Sequence, residues 1–112
     1  MIRLAIFTTG DKKWFNGRRV HRVTGPAVVD TNGFQSWVYG NQRHRTDGPS
    51  IMYPSGHKEW WVNDQLHNPS GPAIVYSNGE VEYWFKGRQY EEYEHMFVVA
   101  QEMVNDNITC TR

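Results

Sequence analysis

A chain of 112 residues, 38% hydrophobic and 14% aromatic, reads as one domain with a modest core and argues against composition-driven disorder. A single cysteine, Cys110, excludes an internal disulfide framework and a cysteine-based zinc site, and fits a reducing compartment. Net charge is zero but uneven: Met1–Arg45 holds eight Lys/Arg against two acids, a formal +6, and the remainder holds four against ten, a formal −6. Such asymmetry marks either a basic contact face or a merely dipolar surface.

In chain order, the apolar start Met1-Ile-Arg-Leu-Ala-Ile-Phe is too short for a signal peptide and lacks a cleavage pattern. No apolar run approaches the roughly 18 residues of a membrane span. The expectation is a soluble, cytoplasmic protein. A repeat of 23 residues then dominates the chain: Gly10, Gly33, Gly56 and Gly79 keep the interval. So do Trp14, Trp37, Trp60 and Tyr83; His21, His44 and His67, followed by Tyr90; and Gly25-Pro26, Gly48-Pro49 and Gly71-Pro72. The units are approximately 2–24, 25–47, 48–70 and 71–89.

Each unit reads as a β-hairpin. In the second, Ala27–Thr31 and Phe34–Tyr39 flank Asn32-Gly33, a combination that favours a two-residue primed turn because glycine takes positive φ cheaply. That turn predicts pairing of Val28 with Trp37 and Ala27 with Val38. One face then carries Ala5, Val28, Ile51 and Ile74 with Trp14, Trp37, Trp60 and Tyr83. The other carries Ile6, Val29, Met52 and Val75 with Phe15, Val38, Trp61 and Trp84. Connecting loops run from Gly17, Gly40 and Asn63 to the next Gly-Pro, and proline is tolerated at a strand start. The predicted fold is mostly β: a curved antiparallel meander of about eight strands, with equivalent residues about 9.6 Å apart.

From residue 90 the period changes. Tyr93, Met96, Phe97, Ala100, Met103 and Val104 recur at helical spacing, and Glu91, Glu92 and Glu94 suit a helix start. An amphipathic helix is predicted over about 90–105, ended by Asn105-Asp106-Asn107 and capping the array, with a tail at 106–112.

The unit resembles the MORN repeat, in particular divergent phage, large-virus and bacterial arrays with the pattern Trp-x-x-Asn-Gly-x-x-His-Arg-x-x-Gly-Pro-Ala. The matching residues are Trp60-Trp-Val-Asn63 with Leu66-His67, His21-Arg22 with Gly25-Pro26-Ala27, and His44-Arg45 with Asp47-Gly48-Pro49, within residues 4–87. The resemblance implies an elongated scaffold or interaction surface. Some such proteins are linked to membrane lipids, others to protein partners, and some bacterial relatives are described as antitoxins. A viral origin would place the chain in the host cytoplasm as a counter-defence protein.

Three groups invite a functional reading. His21, His44 and His67 recur about 9.6 Å apart, too far to share a zinc ion with bonds of about 2.0–2.1 Å. Each is expected instead to bond backbone of its own loop. Arg18, Arg19, Arg22, Arg43 and Arg45 come from two successive loops and would steer an acidic protein patch, hold a phosphate, or form a solvated rim. Trp61 and Trp84 lie opposite the main tryptophan column and, if left exposed, would anchor a partner. His57 and Glu59 share a strand face, but no nucleophile or second acid is placed beside them. P-loop, Gly-x-Ser-x-Gly and His-Glu-x-x-His motifs are absent. The expectation is a non-enzymatic protein-binding module without metal or cofactor; nucleotide or nucleic-acid binding by the basic loops is the alternative. Exposed sheet edges also permit homo-oligomers.

Overall fold

The computed structural model describes the backbone of residues 1–110 and the side chains of residues 1–104. The first repeat forms β1 (Ile2–Ile6), β2 (Lys12–Asn16) and β3 (Arg19–Val20). The second forms β4 (Val28–Val29), β5 (Gln35–Ser36), β6 (Val38–Tyr39) and β7 (Gln42–Arg43). The third forms β8 (Ile51–Met52), β9 (Lys58–Glu59), β10 (Trp61–Val62) and β11 (Gln65–Leu66). The fourth forms β12 (Ile74–Val75), β13 (Val81–Phe85) and β14 (Arg88–Tyr90), and α1 (Glu92–Cys110) follows.

The main sheet is an open antiparallel meander, β1-β2-β4-β5-β8-β9-β12-β13-β14, with β3 paired to β2. A second ladder runs beside it. Hairpins β6-β7 and β10-β11 are tied to their neighbours by backbone bonds from Asn41 N–H to Val20 O (3.0 Å), Asp64 N–H to Arg43 O (2.9 Å) and Gly87 N–H to Leu66 O (2.9 Å). The chain leaves one ladder for the other at Trp37 and Trp60, whereas β2 and β13 cross unbroken. The result is a plate of 50 × 40 × 17 Å with a radius of gyration of 16.3 Å, against about 13 Å for a compact 100-residue domain.

The glycine turns differ from the predicted kind. Phe7 N–H donates to Asp11 O and Gly10 N–H to Phe7 O, both at 2.9 Å, enclosing Thr8-Thr9-Gly10. The same two bonds recur between Asp30 and Phe34, Tyr53 and His57, and Tyr76 and Glu80. These are three-residue loops closed by a left-handed glycine, with φ of 93°, 101°, 96° and 92° at Gly10, Gly33, Gly56 and Gly79. The extra loop residue moves the pairing by one: Val28 opposes Ser36 and Val29 opposes Gln35. A one-residue slip exchanges the faces. Ala5, Val28, Ile51 and Ile74 therefore share their row with Lys13, Ser36, Glu59 and Glu82, and not with the tryptophan column. Tight two-residue turns with positive φ at both residues stand at Gly40-Asn41 and Asn63-Asp64, where segments read as connecting loops begin, and at Lys86-Gly87 in the fourth unit.

The core is thin and built by column. Ala27, Ser50 and Ala73, 23 residues apart, are completely buried. Only small side chains fit where the Gly-Pro segment crosses the preceding strand. Ser50 satisfies its hydroxyl by donating to Glu59 O (3.3 Å) and accepting from Trp61 N–H (2.9 Å). Ile51, Ile74 and Phe85 complete the buried apolar set. Leu4 holds the small-residue position in the first repeat, where no earlier unit covers it, and is exposed.

Helix α1 begins at Glu92 and runs to Cys110, past Asn105-Asp106-Asn107, so residues 106–110 are helix rather than tail; positions 111–112 lie outside the described residues. Helix propensity costs of well under 1 kcal/mol per Asn or Asp do not by themselves stop a helix. The helix packs on β13 and β14, but its apolar stripe faces outward. Tyr93, Met96, Phe97 and Met103 are 75%, 67%, 71% and 62% exposed, while His95 is buried and Val98, Val99 and Glu102 are half-buried. Polar contacts line the side that meets the sheet. Tyr83 Oη donates to Glu92 (2.6 Å), His95 Nε2 lies 2.8 Å from Asn68 O, and Lys86 pairs with Glu102.

Candidate interaction surface

The histidine column couples the repeats. His21 Nδ1 accepts the N–H of Gly40 (3.0 Å), His44 Nδ1 that of Asn63 (3.0 Å) and His67 Nδ1 that of Lys86 (2.8 Å). Each imidazole thus bonds the tight turn of the following repeat, not its own loop as expected. An accepting Nδ1 requires the neutral ring with its proton on Nε2. Burial, reinforced by the charge of Lys86 and by His95, holds His67 below the ordinary histidine range.

The arginines divide by role. The Arg22 guanidinium stacks 4.0 Å from the Trp14 ring centroid and donates to Pro26 O (3.2 Å). Arg45 repeats this on Trp37 (4.1 Å) and Pro49 O (3.1 Å), and also pairs with Asp47 (2.8 Å). Asn68 takes the place in the next unit, donating to Pro72 O (2.8 Å). Gly25 and Gly48 make room for the stacks: a Cβ there would lie 3.0 and 2.8 Å from the guanidinium carbon, whereas at Gly71 the nearest atom is 3.9 Å away. Arg43 stacks 3.5 Å from the Trp61 centroid and pairs with Asp64 (2.6 Å), which holds that carboxyl below its usual range. Arg18 and Arg19 are exposed at the β2–β3 turn.

Trp61 and Trp84 are half-buried rather than free, and their indole N–H groups donate to Glu59 (2.8 Å) and Glu82 (2.9 Å). Glu82 also accepts from Tyr76 Oη (2.6 Å); the two bonds together lower its pKa. His57 Nε2 and Glu59 are 2.7 Å apart, between the rings of Tyr53 and Tyr76. Among the described residues no group of three or more His, Cys, Asp or Glu is placed to hold a metal ion, and no helix is long and apolar enough to cross a membrane.

On the face that carries the histidines, the repeats leave a series of notches. The first, about 310 Å³, lies between Arg22, Val23, Trp37, Tyr39 and the Arg45 loop. The second, about 170 Å³, lies between Arg45, Thr46, Trp60, Val62 and the Asn68 loop. By strand alternation Trp61 and Trp84 point to the opposite face. Sequence reasoning missed Asn68, the small-residue column and His95. The first two keep the 23-residue interval and were detectable as columns; His95 lies outside the repeat and carried no such signal.

Comparison of the chain with models of known protein families, with curated proteins and with solved structures finds no match.

Proposed function

We propose that the chain is a non-enzymatic protein-binding module that blocks or sequesters a partner protein. The observation that carries this reading is the outward face of α1. Tyr93, Met96, Phe97 and Met103, each more than 60% exposed, stand together on a helix anchored to the sheet by its other side. Contiguous apolar surface of this kind marks interaction sites, and aromatic and Met side chains are enriched in interface cores. Exposed Glu91 and Glu94 border it, so the partner surface is apolar with a basic rim. The coupled repeats supply a rigid platform, which suits blocking better than turnover. Arg22, Arg43 and Arg45 already stack on tryptophans and bond their own chain, which leaves Arg18 and Arg19 to support the nucleotide alternative. Viral counter-defence and toxin neutralisation both fit a blocking action.

The test is affinity capture from the source cell with the full chain and a Tyr93→Glu/Phe97→Glu variant of equal stability. One stoichiometric protein partner, lost with the variant, supports the reading. Nucleic acid or nucleotide recovered instead, and lost with Arg18→Glu/Arg19→Glu, overturns it.

A further inference from the structure

We infer that the two open notches receive an acidic amphipathic helix of a protein partner, seated as α1 is seated at the third equivalent position. The inference rests on the protein-binding reading but concerns a different surface. Each wall residue of the second notch, Arg45, Thr46, Trp60 and Val62, stands 23 positions after its counterpart in the first. One further step along the chain leads to Asn68, Pro69, Tyr83 and Phe85. There α1 fills the place. The His95 ring sits 5.2 Å from the Tyr83 ring and 6.4 Å from Phe85, donates from Nε2 to Asn68 O at 2.8 Å, and is 3% exposed. Val99 lies beside Pro69 in the same place. The molecule thus displays an occupant for this wall: a flat ring with an N–H donor, projected from a helix onto the carbonyl of a loop residue. The carbonyls of Arg22 and Arg45 hold the corresponding positions in the open notches.

Charge sets the class of helix. The column that carries neutral Asn68 at the filled position carries Arg22 and Arg45 at the open ones; the carboxylates of α1 are held there by Tyr83 (Glu92) and by the cation Lys86 (Glu102), whose counterparts at the open positions are Gly40 and Asn63. The first notch sets Arg22 and Arg45 against Asp47, which pairs with Arg45, and the second carries Arg45 with no lining acid, so both keep net positive charge and a helix entering them keeps carboxylates beside its ring residues. Among the described residues, the buried side-chain donor without a partner is Trp37 Nε1, and Trp37 walls the first notch. Successive notches lie about 9.6 Å apart, two strand spacings. α1 itself follows β13, with Glu92 at Tyr83 and Glu102 at Lys86, so a helix seated the same way enters a notch along the strand and offers it one ring residue.

The probe is a synthetic peptide with the sequence of residues 91–104, titrated into the isotopically labelled full chain and followed at the indole N–H resonances of Trp37 and Trp60. Both resonances shift and saturate. A His95→Ala peptide binds at least roughly five-fold more weakly. Salt of about 0.5 M weakens binding. In the protein, Thr46→Trp abolishes the shifts, because Thr46 lines both notches; Thr46→Phe is the second plug if that variant loses its urea midpoint. Absence of shifts at about millimolar peptide, equal binding of the two peptides, or shifts confined to Asn68 and Tyr83 would each overturn the inference, the last because the peptide would only be exchanging with α1. A captured protein lost with Phe97→Glu but kept by Thr46→Trp also overturns it, while leaving the protein-binding reading intact.

Discussion

Replacing His21 with alanine removes the acceptor for Gly40 N–H, a partly buried bond of 3.0 Å that joins the first repeat to the second. A buried donor left without a partner costs about 1–3 kcal/mol. The substitution also deletes the ring packed 4.3 Å from Tyr39, a contact of about 0.5–1.5 kcal/mol. The expected loss is about 2–4 kcal/mol, a large share of the roughly 5–15 kcal/mol typical of a domain. Asparagine places a carbonyl oxygen near the former Nδ1, so His21→Asn keeps the acceptor and loses mainly ring packing, about half as much. Urea unfolding followed by tryptophan fluorescence reads both. Repeat arrays are stabilised by nearest-neighbour terms, so the alanine variant also unfolds with a shallower transition as the first repeat detaches. Equal losses for alanine and asparagine, or an alanine loss below about 1 kcal/mol, would refute the coupling role assigned to the imidazole.

Gly48→Ala forces the Arg45 guanidinium off Trp37 and Pro49 O and is expected to cost about 1–2 kcal/mol in urea unfolding, whereas Gly71→Ala, beside the smaller Asn68, stays within about 0.5 kcal/mol. His67 titrates below its unfolded value near 6.5, so the unfolded chain binds its proton first. Its contribution is complete above that value and is lost as pH falls through it toward the folded pKa. The urea midpoint should therefore drop between about pH 7.5 and 5.5, with His67→Asn flattening the dependence. Phe97→Ser changes thermal or urea stability by less than about 0.5 kcal/mol because the ring is 71% exposed, while His95→Ala costs about 2–3 kcal/mol by orphaning Asn68 O under the helix.

The repeat, its length, the mostly β class and the existence of the helix were legible because they depend on local pattern. Gly10, Gly33, Gly56 and Gly79 mark turns wherever they fall, since positive φ favours glycine over other residues. The Gly-Pro-Ala/Ser columns recur because every unit must fit the same neighbour. The kind of turn was not legible: Asn32-Gly33 suits both a two-residue and a three-residue loop, and the choice of the latter exchanged the faces of the whole sheet. The arginine loops looked like free charge because the rings beneath Arg22 and Arg45 come from eight residues earlier and the ring beneath Arg43 from eighteen residues later, across strands that sequence alone does not place. The outward direction of the α1 stripe was not legible for a related reason. Apolar spacing identifies a helix but not its rotation, and here the side that meets the sheet is the one carrying Glu92, His95 and Glu102, which bond to side chains and backbone of earlier residues. Sequence by itself thus determined the periodic scaffold of this protein. Only the tertiary structure decided which surfaces are spent on holding it together and which stand open, because that division rests on contacts between repeats rather than on preferences within one.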